Sequence, residues 1–490
     1  MTSTLTVDLV TLLPLLAPAV GAVLVLLVDV IAPGRVALHH GIGIAASLVG
    51  ILGIVLAVNH GRPSTLCTAG PTGTCFLDLT GTGAGIAMAA LFAGVVILLL
   101  TWPGRGMTLP VAGPTATALV LTAVTGASVV AGARDVASWL IGLELATLPV
   151  VGLVSLTGTR RAAHGALSFV TTSVLSFGLL AVGSALWVYA SHRVTFGVGA
   201  AGAVWDDPTR RPAVVLALLF MVAGLGFKIS AVPFHMWTPQ AYAGAATAVT
   251  TTLATVSKLA AAAGLIAVTR MLVGVPAHQF AFVMGLVSLV TMTIGTAVAL
   301  RQDDVVRLVA WSAIGQGGWI LLPLVGHDGG GVAAAAAYAV AYVLASLVIL
   351  AVVAIVSGGA GSGDEPGARS LAAYHGLFRR HPLVGGALAL GLLSLAGLPP
   401  GVLGLVAKVT ALRAVIGVHL WPLAVVAVVN VIIGLAVYLR WVAALFGEPR
   451  PDADAMTLTR PAQIALGLGA LALVVTSVVP HIVLWGTALG

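Results

Sequence analysis

Charge is what this sequence has least of. Of its 490 residues only 8% are Asp, Glu, Lys or Arg, while 59% are hydrophobic, and the mean hydropathy is +1.12. Soluble globular chains carry about 25% charged residues, which excludes that class. Cysteine is nearly missing as well. Cys67 and Cys75 are the only two, too few for the four thiolates of an iron-sulfur cluster. Neither a dinucleotide-binding glycine fingerprint nor a P-loop joined to a strand occurs, so electron transfer or ATP chemistry would have to be handled by another chain.

What is present is hydrocarbon-crossing length, repeated. Apolar runs of roughly 20 residues, enough to span a bilayer, follow one another with short polar gaps that leave no room for a soluble domain. Fourteen such spans predict an all-α polytopic membrane protein of one domain, residues 1-490. The first run has no basic flank and no small-residue cleavage site, so it reads as a retained span. An even count puts both termini on one side. With the termini outside, twelve arginines, Arg105 and Arg450 among them, fall in the inside loops against seven outside; the excess favours that orientation, although Arg193, Arg210 and Arg211 run against it. The formal charge of +7 thus reflects membrane topology and does not point to nucleic acid.

Lysine is rarer still. Lys228, Lys258 and Lys408 are the whole lysine content, against nineteen arginines, and each lies inside an apolar run whereas the arginines cluster near loops and helix ends. A guanidinium keeps its proton in a protein, but an ammonium in a desolvated site can release it near neutral pH. Lysine confined to the hydrocarbon therefore points to proton exchange; lysines that merely snorkel or neutralise a carboxylate are the structural alternative. Glu144, in "WLIGLELATLP" of the fifth span, is the one deeply placed acid, and intramembrane ionisable groups are functional candidates by default.

Two spans are fractured. In the seventh, "GLGFKISAVPFHMWTPQ", Pro233 and Pro239 bracket a break directly after Lys228; in the twelfth, "LAGLPPG" with Pro399 precedes Lys408. Proline inside a helix removes a hydrogen bond and clashes with the preceding turn, and backbone freed at membrane depth must be buried in protein. Breaks five spans apart are the pattern of an inverted-repeat transporter, and "RDVASWLIGLE" of the fifth span and "DDVVRLVAWSA" of the tenth repeat that offset. The expected layout is two inverted five-helix repeats, about 114-269 and 279-446, with broken helices 7 and 12 and flanking helices at 8-101 and 462-486. His235 in the first break can stabilise it or titrate. Gln316 is polar at depth in the tenth span. The hydroxyls of "TAVTTTLATVSK" can wet a path or bond their own helix. Cys67 and Cys75, in the loop after the second span, can form a disulfide or stay idle thiols. The polar loop 357-381 reads as a solvated linker.

"GFKISAVPFHMWTPQAYAGA" followed by "TTLATVSKLA", with "GLELATLP" upstream and "LLSLAGLPPGVLGLVAK" downstream, resembles the antiporter-like membrane subunits of respiratory complex I. The likeness runs over nearly all of the chain. Within that family it leans to the branch that keeps lysine at the position of Lys408 and ends after the fourteenth span without a long lateral helix. The resemblance implies a proton-pumping translocase subunit of the bacterial cell membrane, beside other membrane subunits and lipid. Glu144 and Lys228 would be the interacting pair, Lys258 the central relay and Lys408 the terminal exchange site. No cofactor is expected in this chain; quinone, FMN and iron-sulfur clusters are expected in partner subunits. Gln240 and "AATAVT" depart from the family, which commonly has aspartate and "APAPVT" there. A subunit of a multi-chain sodium/proton antiporter or membrane-bound hydrogenase is the alternative, and a scaffold subunit whose buried charges no longer conduct is a third.

Overall fold

A computed structural model describes residues 5–68, 73–102, 113–357, 369–448 and 458–488. Arg105, Arg450 and residues 358–368 of the polar loop lie outside the described residues. In hydrocarbon each backbone N–H and C=O must be satisfied within its own segment, and the long apolar runs accordingly form helices. Among the described residues thirteen are long and apolar enough to cross a membrane. The broken twelfth span, Pro382–Ala396 and Val402–Gly417, brings the total to fourteen, in agreement with the expected number. Short polar residues set the starts: Asp8, Asp135, Asp304 and Asp328 each accept amide hydrogens from the first turn of the helix they precede. The eighth span (Thr247–Arg270) is wholly buried over its apolar window, whereas the thirteenth (Trp421–Phe446) is 28% buried. Lys258 therefore sits on the central helix.

Several local features recur five spans apart. Val136 N and Phe196 N donate to Val194 O and Arg134 O, pinning the start of the fifth span; Val305 N and Leu371 N donate to Arg369 O and Asp303 O at the start of the tenth. Gly126 of the fourth span lies where a Cβ would come 2.2 Å from Ala146 N, and Gly295 of the ninth where one would come 2.3 Å from Gly315 N. The seventh span turns at Ser230 (φ 68°) before a cis Val232–Pro233 bond, and the twelfth at Gly397 (φ 84°) before a cis Pro399–Pro400 bond. An odd offset puts matched features at opposite membrane faces.

Four features differ from the sequence expectation. The loop after the second span is not bare: Ser64–Thr68 (β2) pairs antiparallel with Cys75–Asp78 (β3) and with Leu5–Thr6 (β1). Cys67 stands opposite Cys75 and is disulfide-bonded to it. These strands are too short to carry a readable alternation. The fourteenth span stops at Val478, and Pro480 precedes a separate helix, His481–Ala488, because proline cannot continue the hydrogen-bond ladder; the expected 462-486 is two helices. The fifth span also breaks, between Val136–Leu145 and Leu148–Ser155, where Pro149 lacks an N–H. The eighth breaks at Thr255 (φ −117°, ψ −75°) without proline or glycine.

Candidate functional site: three buried amines at helix fractures

Lys228 closes the leading half of the seventh span, Arg211–Ile229. Its Nζ donates to Glu144 Oε1 at 2.8 Å and to Thr147 Oγ1 at 3.0 Å. Side-chain exposures of 5% for the lysine and 16% for the glutamate make this a largely desolvated ion pair. The fracture of the fifth span is what brings Thr147 to it: that residue lies in the two-residue gap and turns its hydroxyl to the ammonium. Removing one partner of a buried pair costs about 3–5 kcal/mol, because the other charge stays behind unpaired.

Beyond Lys228 the chain reverses at Ser230 and frees the carbonyls of the last turn. Trp237 Nε1 donates to Phe227 O at 2.8 Å. Lys258 Nζ donates to Ile229 O at 2.6 Å and to Ser230 Oγ at 2.5 Å, and Ser230 Oγ is itself 2.5 Å from Thr238 Oγ1. The ammonium also lies 5.6 Å from the centre of the Trp237 ring. It is thus held at a helix C-terminus, where the peptide dipoles present partial negative charge, and over an aromatic face.

Lys408 repeats the arrangement. Its Nζ donates to Leu395 O at 2.5 Å, in the last turn of the leading half of the twelfth span, and stands 5.8 Å from the centre of the Trp319 ring. Glu144, Lys228, Lys258 and Lys408 therefore each lie near a helix fracture, those of the fifth, seventh, eighth and twelfth spans in turn. The first three gather around the seventh-span break, and Lys408 sits apart at its own.

Gln316 lies in a polar cluster that reaches the Lys408 side of the chain through Trp319 and Tyr338. Tyr338 OH donates to its Oε1 at 2.5 Å, its Nε2 donates to Tyr438 OH at 2.8 Å, and Tyr438 OH meets Ser312 Oγ at 2.6 Å; Tyr338 stacks on Trp319. A cavity of ≈ 10 Å³ touches Ser312, Tyr342, Tyr438 and Leu395, about the size that one water centre requires. His235 packs against Trp311, with ring centres 5.4 Å apart. Pro233 and Pro399 lie in the two breaks, but Pro239 falls inside the trailing half-helix Trp237–Gly244, in its first turn, where a missing N–H is harmless. Most of the threonines before Lys258 bond their own helix or a neighbouring carbonyl, as Thr250, Thr251 and Thr255 do. Thr252 and Ser257 keep buried hydroxyls without a partner, a pattern that marks where water is needed. Among the described residues no three His, Cys, Asp or Glu side chains converge on a metal position.

The family described as NADH:quinone oxidoreductase/Mrp antiporter, transmembrane, matches residues 133–434, a range that includes all four ionisable residues. The NADH-quinone oxidoreductase subunit N of Salinispora tropica is 36% identical over 459 residues, covering 91% of this chain and 86% of that protein. The chain belongs to the subunit N family. Its fold is also that of a chain in respiratory complex I from Thermus thermophilus with bound aureothin, at a TM-score of 0.79 and 26% identity over 97% of this chain and 100% of that one. The Mrp complex from Dietzia sp. shares the fold at a TM-score of 0.80, with 20% identity over 98% and 97% of the two chains. Within this subunit N chain, sequence reasoning missed Thr147, Ser230, Thr238, Trp237 and Trp319. A serine two residues after a lysine and shortly before an X-Pro fracture was a readable signal. The tryptophans gave none.

Proposed function

We propose that the chain is the membrane subunit through which an NADH:quinone oxidoreductase moves protons, with Glu144, Lys228, Lys258 and Lys408 as the relay. One observation carries this reading: the half-helix end that carries Lys228, paired with Glu144 of the fifth span, also offers the Ile229 carbonyl to Lys258. A change at the Glu144 pair is then felt at the next amine through a single peptide. At an effective dielectric of about 20, drawing Glu144 from about 4 to about 10 Å away weakens its attraction for the ammonium from about 4 to about 1.7 kcal/mol. Moving a unit charge against about 150 mV costs about 3.5 kcal/mol. The switch alone falls short, so energy must come from quinone reduction in partner subunits, which would hold the FMN, iron-sulfur clusters and quinone. Water at the orphaned hydroxyls would join Lys258 to Lys408, the exchange site.

The same reading assigns residues 114-269 and 279-446 as inverted repeats, supported by the recurring caps, bridges and turns. It puts the chain in a bacterial cell membrane, beside other membrane subunits, with both termini outside. The antiporter alternative shares the family model, whose description covers both kinds of protein, but the relative at 36% identity is a subunit N whereas the Mrp likeness is at 20% identity. The assembled complex in proteoliposomes tests the proposal: Lys258→Ala is expected to leave the complex assembled and to abolish acidification driven by NADH. Undiminished pumping by that variant overturns it.

A further inference from the structure

Arg369 is 5% exposed, although it lies in the polar stretch expected to be a solvated linker. Its Nη1 donates to Ala243 O at 2.8 Å and its Nη2 to Ala245 O at 3.1 Å. These carbonyls close the trailing half of the seventh span, Trp237–Gly244. The carbonyls of a last helical turn have no amide to meet, and Ala245 and Ala246 are each 1% exposed. A buried guanidinium supplies the donors and sets positive charge against the negative end of the helix dipole. Its fork of N–H groups meets two carbonyls at once, which the single ammonium of a lysine does less well.

The backbone around Arg369 is fixed elsewhere. Val305 N donates to Arg369 O and Leu371 N to Asp303 O, each at 2.8 Å, so the residue is anchored to the start of the tenth span while its side chain grips the seventh. At the start of the fifth span Val136 N donates to Val194 O, which makes Val194 the counterpart of Arg369, and Val194 is 55% exposed. The recurring framework therefore does without a buried cation at this position. About two turns away, the other end of the same half-helix presents Trp237, whose ring faces Lys258, and Thr238, whose hydroxyl meets Ser230. We infer that Arg369 is a positioning residue of the relay: it holds the trailing half of the seventh span where Thr238 meets Ser230 and Trp237 faces Lys258. The inference rests on the proposed relay.

The test is a double-mutant cycle in the assembled complex in proteoliposomes, with acidification driven by NADH measured per assembled complex. Arg369→Gln is expected to lower it about fivefold, and by no more than about twofold once Thr238→Val has removed a contact through which Arg369 acts, because residues of one network couple. Arg369→Lys, which keeps the charge, should recover part of the loss, and it carries the cycle if the glutamine variant does not assemble. Equal factors in the two backgrounds, or pumping by Arg369→Gln at the wild-type rate, overturn the inference. So does loss of the assembled complex in both variants, which would show that the residue serves the fold alone. Lys258→Ala in the same assay separates the two readings. If it stops acidification while Arg369→Gln changes nothing, the relay stands and this inference falls; if it pumps undiminished, both fall.

Discussion

Lys258 Nζ donates to the carbonyl of Ile229, the residue that follows Lys228, so the two amines flank one peptide unit. This closeness makes the chemistry of Lys228 testable apart from its charge. Lys228→Arg keeps a cation beside Glu144 but cannot release its proton. Both it and Lys228→Ala are expected to abolish proton uptake by inverted membrane vesicles oxidising NADH, with the arginine variant assembling normally. Full pumping by the arginine variant refutes proton exchange at this position.

Ser230 gives Lys258 the second of its two acceptors. A hydrogen bond to a charged group contributes about 1.5–3 kcal/mol, and each 1.4 kcal/mol is about a factor of ten. Ser230→Ala is therefore expected to lower the rate of proton translocation about tenfold or more, and Thr238→Val, which frees the serine hydroxyl, by a smaller factor. Quinone-linked proton uptake in vesicles reads both. Rates equal to wild type in Ser230→Ala mean that the Ile229 carbonyl alone holds the ammonium.

The number of spans, the fractures at Pro233 and Pro399 and the depth of Glu144 and the three lysines were legible because each rests on a local rule: length of an apolar run, a missing N–H, or charge where charge is rare. The fracture at Thr255 was not. It has no proline or glycine, and it lies in a helix whose apolar window is wholly buried. Thr147 was hidden for a related reason. Only the break beside Pro149 turns its hydroxyl toward a lysine 81 residues away in sequence, and no spacing in the chain encodes that approach. Leu5–Thr6 adds the third strand to the Cys67–Cys75 hairpin, a contact across a whole helical hairpin that no local rule reveals.

Gly404 and Gly417 lie on the same half-helix in opposite circumstances. A Cβ on Gly404 would fall 1.7 Å from Ser394 O, backbone of the preceding half, while one on Gly417 would meet nothing within 4 Å. Overpacking of this kind costs about 1–3 kcal/mol and more where backbone is struck. Gly404→Ala is expected to reduce the amount of chain in membranes sharply, and Gly417→Ala to leave it unchanged. Immunoblots of membrane fractions compare them. Equal levels would mean that the twelfth-span fracture does not need this close approach.

The side of the membrane on which the sheet lies fixes the direction of transport. The disulfide between Cys67 and Cys75 is of a kind that persists in an oxidising compartment, and it favours the same proposed orientation, N-terminus outside, as the twelve-to-seven arginine excess. In whole cells, reduction followed by a membrane-impermeant maleimide is expected to label both cysteines, with no labelling when reduction is omitted. Labelling confined to inverted vesicles would reverse the chain, and the end of the fourteenth span would then face the cytoplasm. Lys408 would in that case load from the side to which it is proposed to deliver, so the orientation decides whether the relay from Glu144 to Lys408 runs outward.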